Sequence, residues 1–396
     1  MTVAREAVPW RSMVPLASVS VVVGVSGALA LPFTSLFLTA EVGVSSVELG
    51  AFLLVAALAG LVGSTLLGRL SDSRAVRRNL LVIGAAAGTV GFGLYAVLRS
   101  YWALLAVACT LVAVATSLLS QMFAYARQSA ERANPVKAPL IISSLRTMLS
   151  IAWVGGPPLA ALLIQVGGYT ALYGATALLY ATAALIAARL PELGLTAKET
   201  AVVPRRPQIT LATGAFVLVN GAIALCVSGL PLYVTDTLHG TPGDAGLVLG
   251  LCAALEIPLM LWFGVLAVKA DQHRLVCLGA AVALLYEGVM LATSDIWQVA
   301  AAQLLHAVVI SAVGGVGISY FQSLAPDRPG FATTLYTNTL TVGSMIAGPL
   351  LGLAKQLGYR DVYLMALGMS AAGVALLLGV RSPKRTVRPG QPSAAG

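Results

Sequence analysis

Gly168-Tyr169-Thr170-Ala171-Leu172-Tyr173 and Gly358-Tyr359-Arg360-Asp361-Val362-Tyr363 are two versions of one hexapeptide, 190 residues apart. Each opens an apolar run of about 20 residues, the length that crosses a bilayer as a helix. Upstream, Gly156-Pro157-Pro158-Leu159 pairs with Gly348-Pro349-Leu350-Leu351 at an offset of 192, and Asp72 pairs with Asp271 at 199. Near-constant offsets over such a distance are the mark of an internal duplication.

The composition fixes the medium in which the two copies fold. Of 396 residues, 58% are hydrophobic and 10% charged, against about 25% charged in soluble domains. A single soluble core stops growing near ~250–300 residues and could not hide this apolar surface. An ordinary soluble enzyme is excluded, and so is a disordered chain, which needs the opposite balance. The 40 glycines suit membrane helices, whose backbones approach over small side chains. Cys109, Cys226, Cys252 and Cys277 are scattered singly through apolar runs. They read as small buried hydrophobes, with neither zinc-type nor redox-type spacing. No metal and no cofactor is expected.

Outward from the hexapeptides, twelve apolar runs read as spanning helices. They cover roughly 12–39, 46–68, 79–98, 103–126, 139–166, 169–189, 209–235, 243–268, 273–293, 297–322, 330–356 and 360–380. The short alternating segments of a membrane β-barrel are missing from the pattern. Ala28-Leu29-Ala30 resembles a signal cleavage site, but the run continues to Thr39, longer than the apolar stretch of a signal peptide. Of the 24 Lys and Arg, 20 fall on one side of the map if the N-terminus is cytoplasmic, and only Arg99, Lys355 and Arg360 on the other. Arg146 alone lies within a span. This asymmetry predicts cytoplasmic N- and C-termini in a multi-pass plasma-membrane protein. The net charge of +9 is then an orientation signal, without implication for nucleic acid. Trp10, Trp102 and Trp297 fall at span ends, where interfacial aromatics sit.

The longest inside loop carries Pro191, Lys198, Pro204, Arg205, Arg206 and Pro207. It divides the chain into an N-terminal six-helix half (1–189), a linker (190–208), a C-terminal six-helix half (209–380) and a tail (381–396). Parallel six-span halves with a site near the midplane between them describe a secondary transporter.

The loop after the second span reads Gly68-Arg69-Leu70-Ser71-Asp72-Ser73-Arg74-Ala75-Val76-Arg77-Arg78. It resembles the loop 2–3 signature of the major facilitator superfamily, an all-α fold of twelve helices in two pseudo-symmetric halves. Gly63 and Gly68 would allow close helix approach, and Asp72 can accept charge-assisted bonds from nearby arginines. The resemblance implies a cytoplasmic latch of Gly68, Asp72, Arg77 and Arg78 that breaks when the transporter changes state. A plain positive-inside loop is the other reading. The second copy, Lys269-Ala270-Asp271-Gln272-His273-Arg274, lacks the glycine.

Further stretches are similar to the sugar efflux transporter family within that superfamily: Gln121-Met122-Phe123-Ala124-Tyr125-Ala126-Arg127, Ser150 to Ala160, Leu255-Glu256-Ile257-Pro258, Tyr320-Phe321-Gln322, and Ala332 to Thr339. Members export lactose, glucose and small glycosides. The chain departs from the family pattern where Leu119 and His306 stand in place of Asn, and near Cys226 and Gly229, where the family has Tyr and Asn. By the same resemblance those are cavity helices, so the departures bear on substrate identity.

Ionisable groups inside a bilayer are functional candidates by default. Arg146, Ser150, Trp153 and Pro157 fall on one helical face. The guanidinium fork suits hydroxyls or a carboxylate, and Trp153 offers a flat face for a pyranose. Subtracting 11 from Pro157 gives Arg146, and subtracting 11 from Pro349 gives Asn338, so both halves present a polar group from matching helices. The bland readings are snorkelling or local pairing for Arg146, and simple packing for Trp153. Glu256, about 13 residues into its span, is the candidate proton carrier. It reads equally as a structural carboxyl or as a partner of His306. His306 reads as a substrate contact or a hydrogen-bonded neighbour, and Glu287 as structural. Gln121, Tyr125, Asn220, Gln303 and Tyr336 join Asn338 as softer substrate-binding candidates or packing groups. Pro32 and Pro231 suit kinked, gating helix ends, and Pro258 suggests a local kink.

No lysine completes a phosphate-binding GxxxxGK[ST] loop, and HExxH and GxSxG are absent from the sequence. The sequence therefore predicts no catalytic residues and no enzyme. It predicts an exporter of sugars or small glycosides working by alternating access with proton antiport, functioning as a monomer in the lipid bilayer. The alternative is a multidrug or secondary-metabolite exporter on the same fold.

Overall fold

The computed structural model describes residues 10–73, 76–133, 138–193, 207–326 and 328–380, and it is helical throughout them with short connections. α1 (Trp10–Ala30) ends before Pro32, which has no backbone donor to continue the ladder. α2 (Thr34–Ala40) completes that crossing. α3 (Ser46–Ser73) and α4 (Arg77–Val97) follow. The fourth crossing joins α5 (Tyr101–Val107) to α6 (Ala113–Ala133) through a π-helical turn at Ala108–Val112.

α7 (Ala138–Ala188) holds two crossings, bent where Gly167 and Gly168 leave helical geometry. Gly168 sits at φ +64° and Gly358 at φ +125°. Both hexapeptides therefore start with glycine for one reason: the chain reverses there through a left-handed conformation that β-carbons disfavour.

The second half comprises α8 (Pro207–Leu232), α9 (Pro242–Lys269), α10 (Gln272–Ala292), α11 (Ile296–Ile310), α12 (Val316–Leu324), α13 (Pro329–Leu357) and α14 (Asp361–Leu378). A π-helical turn at Tyr233–Thr237 extends α8 beyond Pro231, and another at Ser311–Gly315 joins α11 to α12. α9 runs unbroken through Pro258. Two caps fix the ends of α9 and α10. Thr241 and Asp244 exchange hydrogen bonds at the start of α9 (Asp244 N donating to Thr241 Oγ1, 3.1 Å). Asp271 Oδ1 accepts from His273 N at 2.9 Å. Each supplies an acceptor to an otherwise unpaired helix donor.

Among the described residues, ten helical stretches are long and apolar enough to cross a membrane. α7 counts once for two crossings, and α13 falls short of the apolarity because Thr333, Thr334, Tyr336, Thr337, Asn338 and Thr339 punctuate its first half. Adding these two gives the twelve crossings expected.

Each half buries its own aromatic core. Phe37, Phe92, Tyr95 and Tyr173 interlock in the first, and Phe216, Tyr320, Phe321 and Tyr336 in the second. The outward faces are apolar as well: Val62, Leu66, Val166, Leu178, Leu247, Trp262 and Leu378 are all exposed. Surfaces of that kind belong against lipid chains. Trp102 and Trp297 are exposed at helix starts, where an interfacial belt places them.

Candidate functional site: the seam between the halves

Two long helix pairs bridge the halves, α3 with α13 and α7 with α9, and the short α2 also meets α8. Their tightest approaches use glycine. A β-carbon on Gly352 would lie 2.6 Å from the Ser46 carbonyl oxygen and 2.7 Å from Gly50 Cα, and one on Gly348 would lie 2.8 Å from Leu53 Cβ. Across the other pair, a β-carbon on Gly246 would lie 2.6 Å from the Pro157 carbonyl oxygen, and one on Gly250 2.8 Å from that of Val154. Ser35 Oγ donates to the Ser228 carbonyl at 2.7 Å, and Lys355 Nζ donates to the Val44 carbonyl.

Every one of these contacts falls at the same end of the molecule, the end carrying the 41–45, 238–241 and 358–360 connections. Toward the opposite end α3 and α13 turn to their own halves. Gly63 approaches Ala113 of α6, and Tyr336 Oη donates to the Gly314 carbonyl at 3.3 Å. Thr147, Thr337 and Asn338 are exposed there. Among the described residues the close backbone approaches between the halves thus lie at the first end, which is sealed.

Helical geometry of 100° per residue decides which expected side chains belong to that seam. On α13, Asn338 falls on the same face as Pro349 and Gly352 and is exposed below the seal. On α7, Arg146, Ser150 and Trp153 follow the face of Pro157, between the stripe packed on α1 and the stripe packed on α9. Trp153 is half-buried; the side chain of Arg146 lies outside the described residues. Glu256 lies opposite the exposed Leu247, Leu251 and Val265 of α9, hence inward. Its carboxyl has no hydrogen-bond or ion-pair partner among the described residues, and its backbone carbonyl accepts from Ser311 Oγ at 3.2 Å. The eleven-residue relation of the two repeats therefore gives positions 146 and 338 equivalent places on their helices.

The other candidates are spent inside their own halves. His306 does not pair with Glu256. It is buried, stacked on Tyr286 at 4.4 Å between centroids, with Nδ1 3.8 Å from Cys252 Sγ. Gln303 is fully buried and donates to the Val299 carbonyl of its own helix. Asn220 Nδ2 donates to Thr339 Oγ1 at 3.1 Å, tying α8 to α13. Tyr336 is buried in the second aromatic core. Tyr125 Oη donates to the Pro191 carbonyl at 2.7 Å, pinning the chain that leaves the sixth crossing. Gln121 is buried as well. Asn220, Gln303 and Tyr125 thus spend their donors on bonds within the protein, as a bilayer without water demands, whereas Gln121 Oε1 and His306 Nε2 are buried without a partner among the described residues.

Of the latch residues, Asp72 has its side chain outside the described residues. Arg77 Nη1 donates to the Ala124 carbonyl at 3.1 Å within the first half, and the Arg78 backbone N–H donates to Glu192 Oε1 at the start of the linker, also at 3.1 Å. The close approach expected at Gly63 is present, whereas nothing lies within 4 Å of a β-carbon placed on Gly68. Sequence reasoning passes over the seam glycines, although Gly246/Gly250 and Gly348/Gly352 both show the four-residue spacing of close helix pairs.

The family model described as the Major Facilitator Superfamily matches residues 16–286 and, a second time, 211–395. Sugar efflux transporter B of Salmonella typhimurium is 34% identical over 92% of this chain and 94% of its own length. Sugar efflux transporter C of Escherichia coli is 31% identical over 92% and 94%. Among solved structures, a nucleoside transporter superposes with a TM-score of 0.75 at 13% identity, over 93% of this chain and 98% of that one. A bacterial homologue of the iron transporter ferroportin, in an inward-facing state, superposes at 0.70 and 16% identity, over 94% and 99%. At such identities these two show a shared fold.

Proposed function

Because the chain belongs to the major facilitator superfamily and, within it, to the sugar efflux transporter family, we propose that it exports sugars or small glycosides across the plasma membrane by alternating access. The observation that carries this reading is the seam. Two halves meet at one end over backbone-to-backbone glycine contacts, and we read the other end as the open one, lined by Arg146, Trp153, Glu256 and Asn338. The sugar-efflux relatives at 31–34% identity over nine-tenths of the chain supply the substrate class.

With both termini cytoplasmic, as the Lys and Arg distribution favours, the sealed end faces outward and the open end inward. Sugar entering from the cytoplasm would meet Trp153 and Asn338 on facing halves, with Arg146 alongside. An unpartnered carboxyl in the same gap suits a coupling proton, so Glu256 is assigned as its carrier. Inward proton movement supplies about 2.3 kcal/mol per 100 mV of membrane potential, before any pH difference, enough for modest uphill export. Asp72 with Arg77 and Arg78 serves as the cytoplasmic latch. The partners are sugar, protons and the lipid bilayer, and the monomer is the working unit.

Counterflow in proteoliposomes with a panel of labelled sugars, glycosides and drugs tests this. Exchange of a sugar supports the reading, and exchange of drugs alone overturns it. One observation favours a multidrug or secondary-metabolite exporter: the apolar Leu119 is exposed on α6, and Cys226 and Gly229 of α8 leave no polar side chain where the family pattern has two.

A further inference from the structure

The two halves share a fold but bury different chemistry at one equivalent place. Between crossings 3–4 and 9–10 the repeat offset is 195, fixed by Gly84/Gly279 and Trp102/Trp297. The packing obeys it: Gly84 faces Leu118, and Gly279 faces Ala312 and Val313. For crossings 6 and 12 the offset is 190. By these offsets Phe92 corresponds to Glu287 and Tyr180 to Ser370. In the first half Phe92 stacks on Tyr180, centroids 5.3 Å apart. In the second, Ser370 Oγ donates to Glu287 Oε1 at 2.6 Å. Gly91, Ala108 and Leu111 of the first half likewise become Tyr286, Gln303 and His306. Packing this fold at that place requires no polar group, since the first half manages with apolar and aromatic ones.

The replacements form a connected line. Glu256 stands one helical turn from Cys252 on α9, and Cys252 Sγ is 3.8 Å from His306 Nδ1. His306 stacks on Tyr286 at 4.4 Å, and Tyr286 meets Tyr363 edge-on at 6.2 Å. Tyr363 shares a face of α14 with Ser370, seven residues on, and Ser370 holds Glu287. Among the described residues Glu287 Oε2 and His306 Nε2 are buried without a protein partner, while Gln303 neighbours Tyr286 and Tyr286 neighbours Tyr363 through their polar ends. Buried orphan groups call for an explanation, and internal water is the species that would partner these two and join them to the Gln303–Tyr286–Tyr363 series. The line also has a direction. Glu287 lies five residues from the sealed-end terminus of α10, and Glu256 fourteen residues into α9 from the same end. At 1.5 Å per residue these are depths of roughly 8 and 21 Å.

We propose that this line is a proton path, separate from the substrate route, which delivers a proton from Glu287 near the sealed end through Tyr286, Gln303 and His306 to Glu256 on the seam. It rests on the reading of Glu256 as the coupling carboxyl. The titratable and charged groups around the path are Tyr363 of α14, Cys226 of α8, Cys252 of α9, Tyr233, which meets Tyr363 edge-on at 5.1 Å, and Arg360, which donates to the Leu291 carbonyl one turn beyond Glu287. His273, at the other end of α10, bonds Tyr320 Oη at 3.0 Å and stands apart. The transfer balances as one proton. Glu287 gives up its carboxyl proton, and His306 takes a proton on one ring nitrogen while releasing one from the other. Glu256 carboxylate becomes the acid, and the imidazole returns to neutrality. The path explains how protons could reach Glu256 from the sealed side while substrate cannot.

The test uses the full-length protein in proteoliposomes and whichever labelled compound, sugar or drug, exchanges fastest in counterflow. Four variants are compared: Glu256→Gln, Glu287→Gln, and His306→Leu and Gln303→Ala, which install the first half's residues. Counterflow reports folding and substrate passage; pH-driven accumulation, with dye-monitored proton flux, reports coupling. The expected result is retained counterflow with loss of accumulation and proton flux in all four. Loss in Glu256→Gln with retention in the other three overturns the path and leaves the Glu256 reading standing. Retention in Glu256→Gln overturns that reading and the path's endpoint with it. Should His306→Leu fail to fold, Gln303→Ala and Glu287→Gln give the same discrimination.

Discussion

Gly352→Ala isolates the seal between the halves. The new methyl would stand 2.6 Å from the Ser46 carbonyl oxygen, 2.7 Å from Gly50 Cα and 2.8 Å from Gly50 N. All three are backbone atoms that cannot rotate away. Ordinary contact begins near 3.4 Å, so α13 must back off α3 by about 0.8 Å. Overpacking of this kind costs about 1–3 kcal/mol. The contact exists only while this end is closed, so the cost falls on the sealed state and shifts the equilibrium between states by about 5- to 150-fold. The assay places a single cysteine at Leu53, which faces Gly348 across the seam, in a background lacking the four native cysteines. An impermeant maleimide is then added on the sealed side, and Gly352→Ala should accelerate labelling by at least about fivefold. Gly50→Ala, whose methyl would meet Pro349 Cα at 3.2 Å, should act in the same direction but less. Gly264→Ala, with nothing within 4 Å, should do nothing. Unchanged labelling in a folded Gly352→Ala protein would show that the seal is not built on this contact.

Glu256→Gln keeps the shape of the side chain and removes its proton, so it should abolish pH-driven accumulation in vesicles while exchange continues; failure of both assays would make Glu256 a substrate ligand instead. Asp72→Asn should slow net transport and leave the apparent affinity within a few-fold, because the residue lies far from the seam site; loss of binding at normal exchange rates would contradict the latch. Asn338→Ala, at an exposed position below the seal, should raise the half-saturating substrate concentration about tenfold, the equivalent of one hydrogen bond of about 1.4 kcal/mol; an unchanged value would take Asn338 out of the site. Asn220→Ala breaks the buried bond to Thr339 and should cost about 1–3 kcal/mol of stability, read as a lower unfolding temperature in detergent; no shift would mean that the bond holds nothing.

The eleven-residue relation between Pro157 and Arg146, and between Pro349 and Asn338, is legible in the amino-acid sequence. It gives the two positions equivalent places on matching helices because one helical period governs both repeats. The same reasoning fails for His306, Gln303, Tyr336, Asn220 and Tyr125. Each sits on a helix that borders the seam or its neighbours, but each points into its own half. A polar residue in an apolar run shows that a buried function or a buried bond exists. It does not say on which side of the helix. The seal is half-legible: the spacing of Gly246/Gly250 and Gly348/Gly352 stands in the sequence, but nothing there pairs these residues with Pro157, Val154, Ser46 and Gly50.

The sequence by itself determined the medium, the number of crossings, the duplication and the charge asymmetry between the two sides. These follow from apolar length, repeat offset and the positions of Lys and Arg along one dimension. Only the tertiary structure decided how each helix is rotated, which end of the seam is closed, and that one half hides a polar line where the other hides Phe92 on Tyr180. The physical reason is the solvent. In water a helix turns its apolar stripe inward, and the 3.6-residue period records the rotation. In lipid the outward face is as apolar as the inward one, so that record is erased and packing over small residues sets the rotation instead.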